Sequence, residues 1–156
     1  MSLLGLKDGA GSSTGNGYLD IADFIIKGCV DARKNLRELY RRIAFNILFG
    51  NTDDHFRNHG FLLTAKGWTL SPAYDINPST KLHQCLLIDP YTEQSDIHAL
   101  LAACEHYMLE HQDALEIVEE VRAAISDWRK VATKLHIPSR ILAPYSKRWD
   151  EVSTNI

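Results

Sequence analysis

The sequence predicts an α+β domain that is predominantly α-helical, and three observations carry that prediction. Apolar residues recur at helical spacing before residue 50, and they do so again over 112–135. Between these stretches, HGFLLTAKGWTL at 59–70 changes character to two short strands around a Lys66-Gly67 turn. With 156 residues and 45% hydrophobic content, the chain is long enough for one compact domain.

Taken in order, the opening MSLLGLKDGAGSSTGNG holds five of the nine glycines and too little apolar surface to order itself. Residues 1–17 are therefore expected to be a flexible tail. The first three read as an added leader, so the chain is expected to be part of a longer one. Asp20 to Lys27 fits a short helix ending at Gly28. Asp31 is a candidate N-cap for a helix through Phe49, with Leu36, Leu39, Ile43, Ile47 and Leu48 on one face and Gly50 as a left-handed C-cap. Strands follow at Phe61–Thr64 and Trp68–Leu70, and then SPAYDINPS, an irregular segment with Pro72 and Pro78. LHQCLLIDP at 82–90 suggests an apolar strand or buried segment. Helices are expected near 95–107, over about 112–135 and after Pro138, which suits a first helical turn. Leu115, Val118, Val121, Ile125, Trp128, Ala132 and Leu135 should form one buried face. The expected layout is tail 1–17, domain 18–150 and tail 151–156.

Composition excludes several classes. Seventeen Lys and Arg against 20 Asp and Glu give a charge of −3, so no broad basic field attracts nucleic acid. Cys29, Cys85 and Cys104 are odd in number and widely spaced, which suggests neither a disulfide framework nor a zinc knuckle. No apolar run approaches the roughly 18 residues that cross a bilayer. A cytoplasmic protein with no membrane partner is expected.

Chemistry concentrates in FGNTDDHFRNHGF at 49–61, which packs two carboxylates, two imidazoles, an arginine and two carboxamides between a capped helix and a hairpin. Asp53 and Asn58 have the D-x-x-x-x-N spacing of a protein-kinase catalytic loop, in which the Asp orients the attacking hydroxyl and the Asn holds magnesium. A second metal-binding carboxylate should follow the hairpin, and Asp75 is placed for it. Spacing alone is weak, since chance gives about half a match in such a chain, and Asp150 with Asn155 matches as well. The order of helix, Gly50, loop, hairpin and Asp75 carries the argument.

The joined strings FNILFGNTDDHFRNHGFLL and GWTLSPAYDINPS closely resemble the C-terminal kinase-like domain of HipA-type serine/threonine kinases, the toxins of HipA/HipB toxin–antitoxin pairs. The pattern G-N-T-D-x-H-x-[KR]-N, a hairpin and then Y-D with an apolar residue is met by Gly50, Asn51, Thr52, Asp53, His55, Arg57, Asn58, Tyr74, Asp75 and Ile76. The resemblance covers roughly residues 18–150. It implies that Asp53 is the catalytic base and that Asn58 and Asp75 hold Mg²⁺. It places His55 and Arg57 along the ATP phosphates, and Tyr74 and Ile76 around Asp75 in the nucleotide-binding set. The implied partners are a protein hydroxyl as substrate, a HipB-like antitoxin, and DNA only through that antitoxin.

A glycine-rich phosphate cover and a strand lysine, which kinases carry N-terminal to the catalytic loop, are missing: GAGSSTGNG has Thr14 where G-x-G-x-x-G needs glycine. The chain is therefore expected to be the C-terminal lobe of a longer kinase, inactive without its N-terminal lobe. Two rivals stand beside this reading. One is a non-catalytic helical interaction module. The other is a metal-dependent hydrolase with zinc on His55, His59 and a neighbouring Asp, which needs helix through Asn58. Asp54 is expected to be a solvated carboxylate, and His59 a strand-start residue bonded to backbone.

Overall fold

A computed structural model describes residues 2–154. Helix α1, Tyr18–Gly28, buries Tyr18, Ile21, Ala22 and Ile25, the i, i+3, i+4, i+7 face of a helix. The Asp20 carboxylate accepts from the Gly17 N–H at 2.8 Å, closing the first turn. Helix α2, Ala32–Phe45, is the centre of the fold and packs on α1 and on α4 (His111–Ser126). Its Leu36, Leu39, Tyr40 and Ile43 are fully buried, each stabilising by about 1.5–3 kcal/mol for a large apolar side chain.

Asp31 does not cap α2 with its side chain; it is left-handed at φ 48°. Asn35 ties that end instead. Its Nδ2 donates to the Val30 carbonyl at 2.7 Å, and its Oδ1 accepts from the Leu70 N–H at 2.8 Å and the Thr69 hydroxyl at 2.9 Å. Strands β1, Phe61–Thr64, and β2, Gly67–Leu70, form the expected antiparallel hairpin, in register from Phe61 opposite Leu70 to Thr64 opposite Gly67. Leu62 and Leu63 are exposed.

The sequence-predicted helix through Phe49 changes hand-hold at Asn46. Residues Asn46–Gly50 form a π-helical turn, a widened turn that re-aims side chains and recurs at functional sites. Gly50 ends it at φ 91°, as expected of a left-handed cap, and a Cβ there would collide with the Arg148 guanidinium.

The opening residues, expected to be a tail, lie along the 85–87 segment. Ser12 N–H donates to the Cys85 carbonyl at 2.9 Å, Tyr18 N–H to Leu87 at 3.0 Å, and Leu87 N–H to Asn16 at 3.2 Å. Gly17 makes this approach possible, because any Cβ would overlap the Leu87 backbone. The 82–90 segment is irregular rather than a strand, yet its Leu86 and Ile88 are fully buried.

The C-terminal part is helical as predicted, in shorter pieces. Helix α3, Ile97–Ala102, is capped by Asp96, which accepts from the His98 N–H at 2.8 Å, and a 3₁₀ turn follows at Cys104–Tyr107. The expected helix over 112–135 breaks at Asp127 into α4 and α5, Trp128–Lys134; α6 is Ser139–Thr154. The break turns Trp128 onto Trp149 of α6, centroids 5.1 Å apart, and its indole N–H meets Asp150 at 3.2 Å. It also ends the predicted stripe: Val118, Val121, Ile125 and Ala132 are buried, whereas Leu135 is 62% exposed. Trp149 stacks on Phe49 at 4.9 Å and donates to the Phe49 carbonyl at 2.8 Å, fixing α6 beneath the π turn. Among the described residues no helix is long and apolar enough to cross a membrane.

Candidate functional site

The loop after Gly50 alternates between core and solvent. Asn51, Thr52, Asp54, Phe56, Asn58 and His59 are buried, while Asp53 and Arg57 are exposed. Buried residues thus anchor the loop and aim the two charged ones outward. A 3₁₀ turn at Phe56–Asn58 carries the chain to β1.

Asp54, expected in solvent, is the buried anchor. Its Oδ2 accepts from the Tyr18 hydroxyl at 2.7 Å, from Asn46 Nδ2 at 2.7 Å and from His59 Nε2 at 2.9 Å. A buried carboxylate needs such donors, because leaving it unpaired costs several kcal/mol. One oxygen therefore joins α1, the π turn and the start of β1. Burial, and after it the Asp54 charge, pushes the Tyr18 hydroxyl well above its ordinary range. His59 is bonded to this carboxylate rather than to backbone. The segment is not helical through Asn58, so His55 and His59 do not share a helix face as the zinc reading requires. Among the described residues, no group of three or more His, Cys, Asp or Glu is placed to hold a metal ion.

The anchoring continues toward Asp75. Asn51 Nδ2 donates to Asn46 Oδ1 at 2.9 Å, and Asn51 Oδ1 receives the Asn77 N–H at 3.5 Å. Ser79 N–H reaches the Gly50 carbonyl at 2.8 Å, and the Tyr74 hydroxyl reaches the Arg57 carbonyl at 2.6 Å. The Asp75 segment is therefore pinned to the Asp53 loop at three points. Asp75 itself is exposed and left-handed at φ 57°, a conformation that Asp tolerates better than most residues. Its Oδ1 accepts from Asn77 Nδ2 at 2.9 Å. Asp53 Oδ1 receives the Cys85 thiol at 3.5 Å; burial, and after it Asp53, raises that thiol's pKa.

The sequence-predicted residues are spread over three cavities, one of about 590 Å³ being lined by both Arg57 and Tyr74. Asn58, Tyr74 and Ile76 line a second of about 380 Å³. His55 and Arg57 line a third of about 270 Å³, opposite Gly9–Ser13. Asp53 and Asp75 line none of the three. Arg57 pairs with Asp8 at 2.6 Å, both largely exposed. Asp53, Asp75 and Asn58 offer only hard oxygen donors that suit Mg²⁺, and the Asn58 carboxamide makes no hydrogen bond among the described residues. The chemistry of these donors is of the kind that suits a magnesium ion, while Asn58 lines a cavity that Asp53 and Asp75 do not. Sequence reasoning missed Tyr18, Asn46, Asn51, Asn77 and Cys85 as supports of the site. The close spacing of Asn46, Asn51 and Asp54 was the one local signal for the buried network.

The fold and this loop define a kinase-like C-terminal domain of the HipA type. The family model described as the HipA-like C-terminal domain matches residues 1–128, and the chain belongs to that family. A Haemophilus influenzae protein named "Putative kinase" is 32% identical over 101 residues, covering 62% of this chain and 29% of that protein. A solved Shewanella oneidensis HipA, in complex with HipB and its operator DNA, shares the fold at TM-score 0.72 and 16% identity. The match covers 96% of this chain and 40% of that HipA chain, so the chain spans less than half the length of either relative.

Proposed function

We propose that this chain is the C-terminal lobe of a serine/threonine protein kinase, with Asp53 as the base and Asn58 and Asp75 as the Mg²⁺ ligands. The observation that carries the reading is the triple pinning of the Asp75 segment to the Asp53 loop, by Tyr74 to Arg57, Asn77 to Asn51 and Ser79 to Gly50. Membership of the HipA-like family and the kinase relative support it.

In this reading Asp53 orients the attacking hydroxyl of a protein substrate and takes up its proton, a contribution of about 10²- to 10⁴-fold. Bound magnesium supplies neutralisation of the charge on the transferring phosphoryl group. Arg57 meets the ATP phosphates after exchanging its exposed Asp8 partner for them, an exchange that costs little because exposed pairs contribute about 0–1 kcal/mol. His55, two residues before Arg57, lines the same cavity and in this reading flanks the phosphates. Tyr74 and Ile76 hold Asp75 in place from either side in sequence. The nucleotide-gripping lobe belongs to the rest of a longer protein, so the isolated chain transfers no phosphate. A HipB-like antitoxin is the proposed partner of the whole.

The test uses the full-length protein. Asp53→Asn abolishes phosphoryl transfer to a protein substrate while ATP binding, measured by calorimetry, persists. Retained transfer removes Asp53 as base.

A further inference from the structure

Thr52 and Asp54 are buried, whereas Asp53 between them is exposed. A free aspartate on a loop divides its time among three staggered χ1 wells. A base, however, must hold one carboxylate oxygen where the reacting hydroxyl arrives, so some neighbour has to choose the rotamer. Among the described residues one group donates to the Asp53 carboxylate. It is the Cys85 thiol, which meets Oδ1 at 3.5 Å.

Cys85 is itself held from both sides. Its N–H donates to the Thr52 carbonyl at 3.1 Å, which ties it to the residue before Asp53, and its carbonyl accepts from the Ser12 N–H at 2.9 Å. The buried Gln84 precedes it, with its N–H on the Glu93 carbonyl at 2.6 Å, and the fully buried Leu86 follows. Gly11 lets the opening segment come this close, because a Cβ there would lie 2.7 Å from the Cys85 carbonyl oxygen. Backbone bonds to two separate segments thus fix the point from which the sulfur reaches Asp53.

The thiol is also kept in its donating form. Burial, and after it Asp53, raises its pKa, so S–H rather than thiolate faces the carboxylate at neutral pH. An S–H is a weak donor, and a weak donor suffices to choose among rotamers of similar energy. Cys85 also lines the 270 Å³ cavity that holds His55 and Arg57, which joins the wall of the proposed phosphate path to the base.

We infer that Cys85 is a positioning residue for the Asp53 carboxylate: its thiol engages Oδ1, sets the side-chain rotamer and leaves Oδ2 for the substrate hydroxyl. The inference rests on the reading of Asp53 as base and deepens it. The aim of the base then depends on the opening segment, which reaches Cys85 through Gly11 and Ser12.

The test uses the full-length protein with its aspartate carboxyl carbons labelled for NMR, the Asp53 signal being the one that Asp53→Asn removes. Cys85→Val keeps much of the side-chain volume and removes the donor. It is expected to shift the Asp53 signal, and to lower kcat for phosphoryl transfer by about three- to tenfold as the other χ1 wells fill, with the KM for ATP unchanged. Cys85→Ser keeps a donor and should restore the signal and most of kcat. Gly11→Ala, which displaces the Cys85 carbonyl from the far side, should shift the Asp53 signal in the same direction as Cys85→Val. An Asp53 signal indifferent to Cys85→Val, or a Cys85→Ser variant that behaves like Cys85→Val, would overturn the inference. So would a kcat untouched by Cys85→Val in a protein that Asp53→Asn inactivates. If Asp53→Asn retains transfer while the Asp53 signal still answers to Cys85→Val and Gly11→Ala, the contact stands and the base reading alone fails.

Discussion

Replacing Asp54 tests the anchoring of the loop. The Oδ2 atom accepts three buried hydrogen bonds, from Tyr18, Asn46 and His59. Asp54→Ala leaves all three donors in a site where Tyr18 is fully buried and the His59 side chain is 3% exposed. Each unsatisfied buried group costs about 1–3 kcal/mol, and relaxation around a smaller side chain recovers part of the sum. A net loss of about 3–5 kcal/mol follows, in line with breaking a buried charged pair. In a domain of this size that lowers Tm by roughly 10 °C. Asp54→Asn keeps one oxygen for the same donors and gives up the charge, so it should cost about 1–2 kcal/mol. Urea unfolding followed by tryptophan fluorescence measures both, since Trp149 sits under the π turn that Asn46 begins. A loss below about 1 kcal/mol for Asp54→Ala would refute the anchor, because it is less than one unpaired buried group should cost.

Further outcomes follow from the same packing. Gly50→Ala should destabilise by about 2–4 kcal/mol, combining left-handed strain with collision against Arg148, and adding Arg148→Ala should recover the steric part alone; thermal melts of the two variants check this. Burial pushes the Tyr18, Tyr40 and Tyr107 hydroxyls above their ordinary value near 10. The unfolded chain therefore releases those protons first, and the stability they contribute is complete below about pH 10 and falls as pH rises beyond it. Ultraviolet titration should show these phenolates appearing only together with unfolding, and a slower loss in Tyr18→Phe.

The elements with strong local signals were legible in the sequence. The α2 stripe, the Gly50 cap and the hairpin at 61–70 needed only periodicity and turn chemistry. What escaped was decided by distant partners. The helix predicted over 112–135 breaks at Asp127 because Trp128 packs on Trp149, 21 residues away, and no helical period encodes that. The glycine-rich opening looked structureless by composition, yet Gly17 is small enough to let its backbone pair with Leu87. Asp54 looked like a surface carboxylate because the Tyr18 hydroxyl that helps bury it arrives from 36 residues away, and the nearby Asn46 and His59 do not by themselves mark it as their common acceptor. The motif named the loop and its exposed Asp53 and Arg57. It did not tell that Asn58 faces a cavity that Asp53 and Asp75 do not line.

The central claim is that Asp53, Asn58 and Asp75 serve one divalent ion. Substoichiometric Mn²⁺ added to the labelled chain tests it directly, since paramagnetic broadening falls off steeply with distance from the bound ion. Resonances of all three residues should broaden together, and Asp75→Asn, which suits the left-handed backbone at that position, should abolish the effect. Broadening that spares Asn58, or that persists unchanged without the Asp75 carboxylate, would contradict it.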